Sequence, residues 1–183
     1  MRVVDPFLEK WPDVELDVTT AFQFGGLAAL LNHEIDLLVT PDPIERPGLE
    51  YKPVFDYELV LAVAETHPLA QKQRIVPEDL AGETLITYPV SRERLDIFTS
   101  FLVPAHALPR RHRTVETTDL MLRLVASGRA VSATPDRLLR EAKGVKGVRI
   151  GEGIAKSIHL GHRKGGTTSY LDGFMQLAET IRI

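Results

Sequence analysis

An α/β fold with parallel sheets and helices on their faces is the reading this sequence supports. Three observations carry it. Short apolar or alternating runs take turns with segments of helical spacing along the whole chain. The run Ile35-Asp36-Leu37-Leu38-Val39 has the continuous apolar character of a buried parallel strand. Several strand ends lead straight into hydroxyl-bearing helix starts, the place where open α/β sheets bind ligands.

In order, Val3, Val4, Phe7, Leu8 and Trp11 recur at helical spacing, and Pro12-Asp13 closes that helix. Alternating Val14, Leu16 and Val18 predict a strand. A second helix follows Gly25-Gly26 through Leu27, Leu30 and Leu31, and the strand 35–39 follows it. The proline-rich stretch 41–48 is a loop, after which 49–63 gives two extended segments around Asp56 and Glu58. Pro77-Glu78-Asp79-Leu80 predicts one helical turn ending at Gly82, and 84–88 a strand.

Ser91 is placed to cap a helix carrying Leu95, Phe98 and Leu102, ahead of Pro104. A basic strand is expected over 110–116, then a helix capped by Thr117 or Thr118 and closed by Gly128. Next come a strand at 130–133, a helix from Pro135 to about Ala142, short strands at 148–150 and 157–160, and an amphipathic helix over 167–183. A second lobe begins near residue 65. The expected division is 1–64 plus 135–183 for lobe I and 65–134 for lobe II.

Composition narrows the function. With 183 residues the chain can bury a core in one domain or two small lobes. Its formal net charge of -3 gives no positive field to draw in nucleic acid, so stand-alone DNA binding is not expected. The absence of cysteine removes disulfides, thiolate metal sites and cysteine nucleophiles, and fits a reducing compartment. No apolar run is long enough to cross a bilayer, and Asp5, Pro6, Glu9 and Lys10 interrupt any signal peptide, so a cytoplasmic protein is expected.

Candidate chemistry is sparse. His159-x-x-His162 would place its rings on opposite faces of a strand, so no metal is expected. His33, His67, His106 and His112 have no acid at useful spacing and read as solvated. The run Arg110-Arg111-His112-Arg113 reads as a solvated strand or an intersubunit contact. No phosphate-loop, nucleophile-elbow or zinc-helix motif is present. No cofactor is expected, and an enzyme is not. What remains are hydroxyls at strand ends and helix starts: Thr19-Thr20, Thr40, Thr87-Tyr88 with Ser91, Thr117-Thr118, and Ser132 with Thr134, suited to hold a carboxylate-bearing ligand at a helix N-terminus.

The element order, with Glu34-Ile35-Asp36-Leu37-Leu38-Val39, His67-Pro68-Leu69-Ala70 and Pro77-Glu78-Asp79-Leu80-Ala81, resembles the effector-binding domain of LysR-type transcriptional regulators over essentially the whole chain. Phe55-Asp56-Tyr57-Glu58, Thr87-Tyr88-Pro89-Val90 with Arg92, Arg94, Leu95 and Asp96, and Gly151-Glu152-Gly153 are similar to the methionine-biosynthesis branch of that family. The resemblance implies two Rossmann-like lobes of the type II periplasmic-binding-protein kind, joined by two hinge crossings, with the first strand of lobe I missing. It also implies transcription regulation by a homodimer or tetramer whose DNA contacts come only from an N-terminal winged-helix domain absent from this chain. The helix 26–33 and the helix 91–102 are the implied dimer elements. The effector would be a small amino-acid-like metabolite, homocysteine for the methionine branch, sitting in the interlobe cleft. Family position implies effector contacts at Phe22, Gln23, Thr40, Thr87, Tyr88, Pro89, Thr117, Thr118, Ser132 and Thr134. Two alternatives share the fold: a transporter's solute-binding protein, which needs export, and an enzyme, which needs a convergent acid, base or lysine.

Overall fold

The structure is a computed structural model and describes residues 3–166 and 168–180. Its chain divides into two compact units: residues 1–56 with 157–183, and residues 57–156. Two long strands, β2 (Leu49–Ala64) and β7 (Val145–Arg163), each run from one unit into the other. Both continue through the change of unit, so the expected boundaries at 64/65 and 134/135 fall inside the second unit.

The first unit holds α1 (Val4–Lys10), α2 (Gly26–Leu31), β1 (Leu38–Thr40), the start of β2, the end of β7 and α4 (Ser169–Glu179). Val54, Leu160, Met175 and Ala178 form its buried core, with Phe174 and Leu37 packed on it. Helix α1 lies on α4: Phe7 meets Phe174 edge-on at 5.1 Å, and Trp11 sits where a side chain at Gly173 would stand. Arg163 joins three pieces. Its guanidinium donates to the carbonyls of Leu30 and Ile35 at 2.7 Å and to Asp36 Oδ1 at 2.8 Å, tying the end of α2 and the approach to β1 onto β7.

Two expectations fail in this unit. Val14 to Val18 is no strand: the segment has no ladder partner, and Val18 is 77% exposed. The apolar run 35–39 yields only the three residues of β1, which pairs antiparallel with β7 (Leu38 opposite Gly161, Thr40 opposite His159) and not with a parallel neighbour. Among the described residues β1 is the edge of its sheet, with Val39 66% exposed. Alternation alone does not make a strand; a backbone partner must be present to take its N–H and C=O groups.

The second unit is built around parallel strands. β4 (Thr84–Thr87) pairs parallel with β5 (Arg111–Thr114) on one side and with β6 (Val131–Pro135) on the other. β6 continues antiparallel onto β2, and the two-residue β3 (Arg74–Ile75) runs parallel to β7. Helix α3 (Thr118–Ala126) buries Met121 and Val125 against Ile86, Ala62, Ala130 and Val145. Strand order and crossovers therefore put α3 on the face that Ile86 presents, while Leu85 points the other way.

The helix expected from Ser91 to Leu102 is broken. It forms a 3-10 turn over Arg92–Arg94, then a π-helical turn over Ile97–Leu102, and Ser91 makes no side-chain cap. Ile97, Phe98 and Leu102 are all buried, with Phe98 packed on His112 of β5, so the uneven winding accompanies burial of all three. The helix expected from Pro135 is a 3-10 turn over Asp136–Leu139. The pairs of short extended segments expected at 49–63 and at 148–160 are each one continuous strand. In β7 this needs Gly151 (φ 53°) and Gly153 (φ 104°), left-handed backbone that a β-carbon would strain. The last helix ends at Glu179, and its expected extension over 181–183 lies outside the described residues.

Candidate functional site

In the second unit the carboxyl ends of three parallel strands come together: Thr87 ends β4, Thr114 ends β5, and Thr134 lies near the end of β6. The chain crosses from one side of β4 to the other between β5 and β6, so this end is a topological switch point, where open α/β sheets bind ligands. The first turn of α3 adjoins it. Thr117 sits in extended backbone before that helix, and its Oγ1 accepts the Leu120 N–H at 3.4 Å, the N-cap read from the sequence.

Alternation sorts the side chains by face. Ile86, Tyr88, Ser132 and Thr134 share the α3 face. Tyr88 Oη and Thr118 Oγ1 are 2.5 Å apart, which ties the strand end to the helix start. Ser132 is fully buried and donates to the Ile86 carbonyl at 2.9 Å, beside Met121 Sδ. Its hydroxyl is committed to holding β6 on β4. Thr134 is equally buried, yet its Oγ1 has no hydrogen-bond partner. An orphaned buried hydroxyl costs about 1–3 kcal/mol, so Thr134 is a local destabilisation at this strand end.

On the opposite face Thr87, 3% exposed, meets His112 on β5 with Oγ1 to Nε2 2.8 Å apart. The Thr87 hydroxyl in turn donates to the Tyr88 carbonyl at 3.1 Å. His112 Nδ1 accepts from Arg92 Nε at 3.3 Å, and Phe98 packs edge-on against the imidazole at 4.9 Å. Burial, then the Arg92 charge, hold the His112 pKa below its ordinary 6.5. His112 is therefore part of a network and not the solvated histidine that the sequence suggests; the signal was its alternation with Arg111 and Arg113 on a strand facing the buried Phe98. Pro89 is exposed just past the end of β4.

Phe22, Gln23 and Thr40 belong to the first unit. Phe22 and Gln23 lie in the turn before α2, with Phe22 half-buried and Gln23 exposed. Thr40 is buried, and its Oγ1 accepts the Asp42 N–H at 3.1 Å, fastening the loop after β1. A surface cavity of about 720 Å³ in this unit is lined by Pro43, Pro47, Pro53, Tyr51 and His159 among others, and includes none of those three. Among the described residues no group of three or more His, Asp or Glu could hold a metal, and no helix is long and apolar enough to cross a membrane.

A polar switch-point corner on a two-unit α/β chain is the anatomy of a small-molecule-binding domain, and the family comparison agrees. The model of the LysR substrate binding domain matches residues 1–180, and the chain belongs to that family. It is 40% identical over 165 residues to the HTH-type transcriptional regulator MetR of Escherichia coli (strain K12), an alignment spanning 88% of this chain and 52% of that protein. The corresponding MetR of Haemophilus influenzae is 32% identical over 185 residues, spanning 98% and 60%. The regulatory domain of NMB2055 (MetR), a LysR family regulator from N. meningitidis, superposes with a TM-score of 0.80 at 34% identity, covering 97% of this chain and 84% of that one. The Synechocystis PCC6803 CcmR regulatory domain in complex with 2-PG gives a TM-score of 0.82 at 24% identity, over 100% and 92%, which speaks to fold alone. The chain spans 52% of the length of the Escherichia coli MetR and 60% of the Haemophilus influenzae one.

Proposed function

We propose that this chain is the effector-sensing domain of a MetR-like transcriptional regulator that takes homocysteine as its effector. The observation that carries the reading is the Tyr88–Thr118–Thr134 corner: hydroxyls at the carboxyl ends of parallel strands, beside the N-terminus of a nine-residue helix, on a chain similar to MetR. Free N–H groups and the positive end of a helix suit a carboxylate, and hydroxyls suit an amine or a carboxylate alike. Phe22, Gln23, Thr40, Thr87, Pro89, Thr117 and Ser132 are carried on family resemblance as further residues of the effector site, with the Ser132 hydroxyl kept on the Ile86 carbonyl. On the same grounds β2 and β7 serve as hinge segments of the type II periplasmic-binding-protein kind, and DNA is read by a helix-turn-helix domain outside this chain. The protein acts in the cytoplasm as a homodimer or tetramer through α2, where Leu31 (43%) stands exposed, and the 91–102 segment, directly followed by exposed Val103 (59%).

The open edge of β1, exposed Val39 and the unpaired stretch 15–20 support one more strand in the first unit, between β1 and that stretch. In protein extended upstream, the amides of Val18 and Val39 should gain hydrogen-exchange protection; unchanged exchange would remove this part of the reading.

Calorimetric titration of homocysteine into the full-length regulator, with methionine and homoserine as controls, tests the effector. Saturable binding of homocysteine in preference to both supports the proposal. No heat from well-folded protein sinks it.

A further inference from the structure

His112 lies behind the proposed effector corner, on the face away from α3, and its contacts define its chemistry. Arg92 can only donate, so the His112 Nδ1 that receives its Nε–H must carry a lone pair. The proton of a neutral ring then sits on Nε2, which points at Thr87 Oγ1 from 2.8 Å. Thr87 passes its own hydroxyl hydrogen to the Tyr88 carbonyl, and its carbonyl accepts the Val115 N–H at 2.8 Å. The series Arg92, His112, Thr87, Tyr88 runs in one donor direction and ends on the residue whose phenol meets Thr118 on the other face. Phe98, 2% exposed, presses on the imidazole and also lies under the Arg92 guanidinium, whose carbon is 5.1 Å from the ring centre.

We infer that His112 is a positioning residue for the effector site: as the neutral Nε2–H tautomer, fixed by Arg92, it locks the Thr87–Tyr88 corner from behind. This rests on the proposed function, because it assigns His112 a role toward that same site. It also gives Arg92 a use, as the group that selects the tautomer. A protonated ring would set two cations side by side and lose the acceptor that Arg92 needs.

The test has two arms. Imidazole nitrogen NMR at pH 7 should show His112 Nε2 protonated and Nδ1 bare. The Nδ1–H tautomer, or a charged ring, would overturn the inference whatever the effector is. In the second arm, homocysteine is titrated into full-length wild type, H112F and H112Q. H112F keeps a ring against Phe98 but loses both nitrogens, and should weaken binding about fivefold, as loss of one net hydrogen bond implies. H112Q returns a donor near the Nε2 position and should recover most of that loss. Equal affinity for all three, or no recovery in H112Q, would contradict a positioning role. If wild type takes up no homocysteine, the effector reading alone fails. His112 is then judged by its nitrogen spectrum and by whether H112F, but not H112Q, speeds exchange of the Val115 amide bonded to Thr87.

Discussion

The two units treat their sheets differently. In the second, β4 has a parallel partner on each side, and Leu85 and Ile86 are almost wholly buried. In the first, β1 is a three-residue edge paired on one side, and its central residue Val39 faces solvent. Similar apolar runs thus reach opposite fates, because burial follows from what lies on either side of a strand and not from its own composition. The second unit centres on a strand paired on both sides and presents a polar corner; in the first, helix packing and Arg163 tie the pieces together.

The largest effect should come from the doubly paired strand of the second unit. Ile86→Ala removes a buried side chain between α3 and the sheet and is expected to cost about 2–5 kcal/mol in chemical denaturation. A loss under about 1 kcal/mol would mean that this unit is not the better packed one. In the first unit Arg163→Ala deletes three hydrogen bonds from a mostly buried guanidinium. It should cost about 1.5–3 kcal/mol and release the α2 amides to exchange. Thr117→Ala removes the α3 cap and should cost about 1 kcal/mol, read as a lower unfolding midpoint at unchanged slope.

The smallest expected effect is a pH dependence. The folded His112 pKa lies below its unfolded value of 6.5, so on acidification the unfolded chain takes up this proton first. The associated stability is complete above pH 6.5 and is lost as pH falls through the lower folded value. H112F should flatten that part of the stability-against-pH curve; an unchanged curve would assign the titration elsewhere.

Particular residues show how far the sequence reaches. Thr117 as cap, Gly128 as terminator and the strands at 84–87 and 131–135 follow from local chemistry, because their partners lie close along the chain or in a core that any apolar run would join. Val14–Val18 alternates yet forms no strand here, because a strand needs a neighbour that alternation cannot supply. Ser91–Leu102 has helical spacing, but Ile97, Phe98 and Leu102 are all buried together along a backbone that winds unevenly. β7 reads as two short strands because only 148–150 and 157–160 are apolar enough to stand out, whereas the strand runs unbroken from Val145 to Arg163. Of the site, the sequence offers the hydroxyls but not their occupations. That Ser132 is spent on Ile86, that Thr134 is left without a partner and that His112 backs Thr87 all depend on contacts across the sheet.

Thr134→Val measures the central claim most directly, because one substitution is read in two properties. The orphaned hydroxyl destabilises the free domain, so the nearly isosteric valine should leave stability unchanged or raise it by up to about 1–2 kcal/mol. If that hydroxyl is kept for an effector, the same variant should bind homocysteine about tenfold or more weakly in calorimetric titration. Equal affinity in Thr134→Val and wild type would contradict the account, leaving a buried hydroxyl without the use assigned to it.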